Sequence, residues 1–124
     1  MDEPTLPKLA QSGFSLVPEL SESALLLQFA GSAELAAAEP IRNYLSAAHE
    51  VAIRRGLAEV RVDLRALKFM NSSCFKSFVT WLDTVANHET GYRVRFLANA
   101  ELHWQRRSLE SLRRLAAHVV SVEF

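Results

Sequence analysis

Three stretches of this chain repeat apolar residues at intervals of three and four, and short apolar or β-branched runs separate them. Ile41, Tyr44, Leu45, Ala48, Val51 and Ala52 mark the first stretch, and Phe75, Phe78, Val79, Leu82, Val85 and Ala86 the second. Leu109, Leu112, Leu115 and Ala116 mark the third, with Arg106, Arg107, Arg113 and Arg114 mostly outward. At 3.6 residues per turn each set shares one face, so each predicts an amphipathic helix with that face buried. Pro40 suits the first turn of the first helix, while Arg54, Arg55 and then Gly56 suit its end. The second helix is expected over residues 73–88, with Gly91 just beyond it, and the third from about Leu102 to Ala117. Between and after them, residues 60–64, 92–97 and 119–124 read as strands.

Ahead of the helices, Phe14-Ser15-Leu16-Val17 and Ala24-Leu25-Leu26-Leu27-Gln28-Phe29 predict two strands, joined through the turn that begins at Pro18. Pro4 and Pro7 discourage regular structure, so residues 1–12 read as a flexible lead-in to a domain over 13–124. The order β-β-α-β-α-β-α-β predicts a single α/β domain. Its mixed sheet should have four to five strands, with an N-terminal hairpin and about three helices mainly on one face. With 124 residues, 49% of them apolar and 23% charged, the chain can bury one ordinary core.

Several function classes are disfavoured by the same sequence. No apolar run reaches the roughly 18 residues of a membrane-crossing helix, and no basic segment leads into an apolar block as in a secretory signal. The single cysteine, Cys74, cannot form an internal disulfide, so the cytoplasm is the expected compartment. Formal net charge is zero, and residues 1–40 carry six acidic residues against Lys8 alone. The basic residues beyond them are scattered, which is not the footprint of a nucleic-acid binder. His49, His88, His103 and His118 stand singly, without metal-ligand spacing, and the four glycines are unclustered, so no metal and no cofactor is expected.

One stretch breaks this regular pattern. In LKFMNSSCFKSF, residues 67–78, an apolar run gives way to Asn71, Ser72, Ser73 and Cys74 and then resumes. The break falls between a strand and a helix, at the carboxyl end of a parallel strand, where such sheets meet ligands and partners. Asn71 or Ser72 would cap the helix through its side-chain oxygen. A phosphate on Ser72 would be tolerated there, since a helix N-terminus stabilises negative charge, and it would bring close to two charges. A thiol in the first turn, Cys74, could act as a nucleophile given a nearby base, although cysteines are more often buried and packed. Trp81 lies about 100° off the buried stripe, either at the edge of the core or in a docking surface with Lys76 and Ser77. Trp104 is expected to staple the third helix to the sheet.

The segment FMNSSCFKSFVTWL resembles the signature of STAS domains, the sulfate-transporter and anti-sigma-factor-antagonist family, in which Asp-Ser-Ser/Thr-Gly opens a helix after a strand and an apolar pair. Phe29-Ala30-Gly31-Ser32-Ala33-Glu34 is similar to that family's Gly-x-x-Asp turn before its first helix, and the element order agrees from Phe14 onward. The resemblance implies that Ser72 holds the place of the serine phosphorylated in anti-sigma-factor antagonists, with Ser73 as second choice and Asn71 in place of the aspartate. Cys74 stands where antagonists have glycine, and Lys76 lies near a lysine of stressosome-type members. The resemblance implies a partner-switching regulator without catalysis, contacting partners through Asn71, Ser72, Ser73, Lys76, Ser77 and Trp81. Those partners would be a serine kinase or anti-sigma factor of the histidine-kinase-like ATPase fold and a serine phosphatase. Neither nucleic acid nor membrane insertion is implied, and an oligomer is compatible with it. The alternatives are a constitutive STAS scaffold subunit, stressosome-like or transporter-associated, and, more distantly, a thiol enzyme using Cys74.

Overall fold

The alternation of strands and helices is present in the computed structural model, which describes residues 6–11, 13–88 and 91–124. Strands β1 (Leu9–Gln11), β2 (Phe14–Leu20) and β3 (Ala24–Ala33) pair antiparallel in succession. Strands β4 (Glu59–Met70), β5 (Arg93–Leu97) and β6 (Val120–Glu123) then add to β3 in parallel. Helix α1 (Ala38–Arg55), preceded by a single 3₁₀ turn at Leu35–Ala37, links β3 to β4. Helix α2 (Ser72–Ala86) links β4 to β5, and α3 (His103–Leu115) links β5 to β6.

The six strands lie in the sheet in the same order as in the chain. Each parallel crossover therefore steps the same way, and right-handed crossovers stepping the same way leave their helices on one face. That face holds the core. Phe29, Leu64, Leu67, Phe78, Phe96 and Leu109 are among its fully buried side chains. The opposite face meets water and is charged: Glu59 pairs with Arg61 at 3.2 Å and with Arg95 at 3.0 Å, and Arg95 also reaches Glu123 at 3.5 Å.

Two glycines are required by the backbone. Gly56, with φ of 60°, ends α1 in the left-handed region, and the next N–H, of Leu57, returns to the Ala52 carbonyl at 3.0 Å. Gly31 has φ of 91°, and any Cβ there would collide with the carbonyl of Gly13, whose oxygen accepts the Ser32 N–H at 2.7 Å.

The structure corrects several expectations. The lead-in is not loose throughout, because Leu9–Gln11 forms β1 and the Tyr44 hydroxyl donates to the Pro7 carbonyl at 2.6 Å. Residues 1–5 and 12 of that lead-in lie outside the described residues. With β1 the sheet has six strands rather than four to five. Strand β4 runs to Met70 instead of ending at Leu64. It carries one extra residue against β3 between Asp63 and Ala66, and another between Leu67 and Phe69, so simple alternation fails there. Leu115 is 61% exposed rather than inward, because α3 ends at it.

The irregular half of β4 is held by α3. Gln105, fully buried, donates its amide to the carbonyls of Leu64 at 2.6 Å and Leu67 at 3.0 Å and accepts the Asn99 N–H at 2.8 Å. One buried side chain of α3 thus serves two carbonyls of the bulged strand. The neighbouring Trp104 donates its indole N–H to the Lys68 carbonyl at 2.8 Å, the staple expected of it.

Candidate functional site

Strand β4 delivers its last residues to the carboxyl edge of the sheet, where the chain turns into α2. The turn is anchored to β3 by the Asn71 N–H, which donates to the Ala33 carbonyl at 2.8 Å. Asn71 is the N-cap: its backbone is extended and its Oδ1 accepts the Ser73 N–H at 2.8 Å. The Asn71 carbonyl then takes the N–H groups of Cys74 at 2.9 Å and Phe75 at 3.1 Å, closing the first turn. An amide performs this cap as well as a carboxylate because only the acceptor oxygen is used. Ser72 is therefore the first residue of α2. It is exposed, and its hydroxyl has no partner among the described residues.

Cys74 points the other way. It is fully buried, with Sγ directed at the carbonyls of Glu34 at 3.3 Å and Ala33 at 3.7 Å. Burial pushes its thiol pKa up, the Glu34 carboxylate adds to the rise, and the backbone hydrogen bond at Asn71 only partly opposes them. A protonated, covered thiol is the reverse of what nucleophilic chemistry needs.

Of the six residues expected in a docking surface, the structure brings together Asn71, Ser72, Ser73 and Lys76, and removes Ser77 and Trp81. Ser77 is 6% exposed and donates to the Ala38 carbonyl at 3.0 Å, tying α2 to α1. Trp81 is 4% exposed and donates to the Tyr92 hydroxyl at 3.0 Å. Both lie on the flank of α2 that packs on α1. A helix lying on a sheet and also against a neighbouring helix buries a wider arc than one stripe, and this arc takes in both residues.

Two apolar residues are exposed at this end of the sheet instead. Phe69, 44% exposed, pairs with Ser32 of β3, and Leu35, 64% exposed, follows the end of that strand. Ser72 thus stands at an edge with exposed apolar side chains near the end of β4 and just past the end of β3. Phe69 is within the run LKFM, but alternation alone could not say which way it faced, since the strand is bulged there.

Adjacent serines face different grooves. Ser73, with Lys76 and with the Glu39–Arg42 pair of α1, lines a groove of about 300 Å³ between α1 and α2. Ser72, with Phe75, Trp104 and Arg107, lines one of about 350 Å³ between α2 and α3. Along the parallel strands the order never reverses, so the crevice that a doubly wound sheet opens at a switch point is not formed. The site is a surface with two flanking grooves. Among the described residues no group of three or more histidine, cysteine, aspartate or glutamate side chains could hold a metal ion. No helix among them is long and apolar enough to cross a membrane.

Solved structures share this fold. An anti-sigma factor antagonist from Mycobacterium paratuberculosis superposes with a TM-score of 0.65 at 16% identity, over 85% of this chain and 84% of that one. The anti-sigma factor antagonist SpoIIAA in its unphosphorylated form gives 0.58 at 16% identity, over 88% of each chain. The chain has the fold of these anti-sigma factor antagonists, the STAS-type fold. A third structure with this STAS-type fold, the protein TM1081, gives 0.62 at 13% identity over 86% of this chain and 78% of its own. No protein-family model matches the sequence, and no curated protein matches it.

Proposed function

We propose that the chain is a non-catalytic partner-switching regulator of the anti-sigma-factor-antagonist kind, controlled by phosphorylation of Ser72. The observation that carries this reading is the placement of Ser72, exposed, without a hydrogen-bond partner among the described residues, and at an edge flanked by exposed Phe69 and Leu35. The STAS-type fold supports the choice of partner: a serine kinase or anti-sigma factor with the histidine-kinase-like ATPase fold. The kinase would move the γ-phosphoryl group of ATP to the Ser72 oxygen, forming that P–O bond and breaking the one to ADP, with release of the hydroxyl proton. A serine phosphatase would reverse the mark by hydrolysis. A kinase partner would draw on ATP, so the reading implies the cytoplasm.

A phosphate on Ser72 leaves the fold intact because it sits on the positive end of α2. It weakens docking because its charge must lose water in the contact. Pull-down from the native cell with phosphosite mapping identifies the partner and the modified residue together. In binding titrations Ser72→Ala retains docking, whereas Ser72→Asp weakens it by about tenfold, roughly 1.4 kcal/mol. If Ser73→Asp weakens docking and Ser72→Asp does not, the switch is the next residue. Equal affinity for all variants, with no phosphate found, identifies a constitutive scaffold and refutes the switch.

A further inference from the structure

The groove beside Ser72 holds a cation, Arg107. Arg107 lies on α3, exposed, and lines the same 350 Å³ groove as Ser72. Other arginines of that helix are engaged. Arg113 pairs with Glu110 at 2.9 Å, and Arg106 lies over the Phe124 ring, 4.6 Å from its centroid. Arg107 has no ion-pair partner among the described residues. The groove walls near it are apolar, from Met70, Phe75 and Trp104, and Ser108 adds a hydroxyl. Lys76, the nearest cation on α2, serves the other groove with Ser73.

We propose that Arg107 is the internal receiver of a phosphate on Ser72, drawing it into the α2–α3 groove. The inference rests on the reading of Ser72 as the modified residue and adds where the phosphate goes. A guanidinium offers a planar fork of donors that matches phosphate oxygens, and apolar walls limit the competition from water. α3 is a firm platform for this, because Gln105 and Trp104 fix it to β4, the strand that ends two residues before Ser72. Phosphorylation then changes the surface in two ways. It adds charge at the edge, and it fills the groove, so a partner loses access to Arg107 and to the apolar walls as well. A phosphate on Ser73 would instead face Arg42 and Lys76, across the other groove.

The test uses the full chain with phosphoserine built in at position 72 during synthesis, so no kinase is needed. Phosphorus NMR titration reads the second ionisation of the phosphate directly. With Arg107 present it should fall about half a pH unit below its value in the same protein carrying Arg107→Gln, the scale of a partly exposed ion pair. Arg114→Gln, which removes the same charge seven residues further along α3, should leave the ionisation where it was. Equal values in the wild-type and Arg107→Gln proteins overturn the proposal, as do equal shifts from the two substitutions, which would mean a diffuse field. Melting of the unphosphorylated variants checks that both fold. Should phosphosite mapping find Ser72 unmodified in cells, the functional reading falls, while this titration still decides whether Arg107 receives a phosphate placed there.

Discussion

Replacing Tyr92 by phenylalanine removes one oxygen from a buried polar cluster that links Trp81 to His49. Tyr92 is 2% exposed, and its hydroxyl accepts the Trp81 indole N–H at 3.0 Å while lying 2.8 Å from His49 Nδ1. The indole can only donate, so the arrangement that also uses the tyrosine proton sends it to His49 Nδ1, with the imidazole neutral and its own hydrogen on Nε2. In Tyr92→Phe the N–H of Trp81 is left without a partner in a position only 4% exposed. His49 is partly exposed, and water replaces what it loses. No carbon is removed and no cavity opens, so the cost is that of one orphaned buried donor, about 2 kcal/mol. For a domain of this size that is a fall of about 5–10 °C in Tm.

The cost should also depend on pH. Burial first, and the neighbouring His88 ring second, hold His49 below the ordinary imidazole value, against the opposing pull of Glu50. Below about pH 6.5 the unfolded chain takes up a proton that folded His49 resists. Stability present above that pH is therefore lost as pH falls toward the lowered folded value. Tyr92→Phe deletes a bond that favours the neutral ring, moves the folded value upward and softens that loss. Urea unfolding at pH 7.5 and pH 5.5 should show a deficit that is larger at pH 7.5. A variant within about 0.5 kcal/mol of wild type at pH 7.5, smaller than a typical net hydrogen bond, would refute the reasoning. So would a deficit that widens on acidification.

Two further outcomes follow from the first turn of α2. Asn71→Ala removes the acceptor for the Ser73 N–H and should lower unfolding stability by about 1 kcal/mol, recovered in large part by Asn71→Asp, as read by urea titration. Cys74, fully buried with a raised thiol pKa, should react with an aromatic disulfide reagent only as fast as the protein unfolds. Rapid labelling of the native protein would restore the thiol-enzyme alternative.

The helices were legible because their packing is local to one face. All six residues of the first apolar set are buried in α1, and the serine pair does open α2. The polar break also showed where a cap was needed, although it left Asn71 and Ser72 as equal candidates, and only geometry chose between them. What escaped depends on neighbours distant in sequence. Ser77 and Trp81 are buried because α1 lies beside them, a contact that periodicity within α2 cannot reveal. Residues 65–70 hide their strand because two bulges break alternation, and the carbonyls of Leu64 and Leu67 go to Gln105, 41 and 38 residues away. β1 escaped because three residues beside two prolines make no pattern, and its partner β2 supplies the order.

Strand order that follows chain order bears on how the protein is born. As the chain leaves a ribosome, each strand from β2 onward finds its sheet neighbour already synthesised, and no gap must be held open for a later segment. Each helix can settle on strands flanking it in sequence, so assembly can advance from the hairpin outward, one strand–helix unit at a time. Growth in one direction also puts a brief strand at each rim among the described residues, three residues in β1 and four in β6, with residues 17–20 of β2 left uncovered beyond β1. Edge strands that brief offer little backbone of their own to another chain.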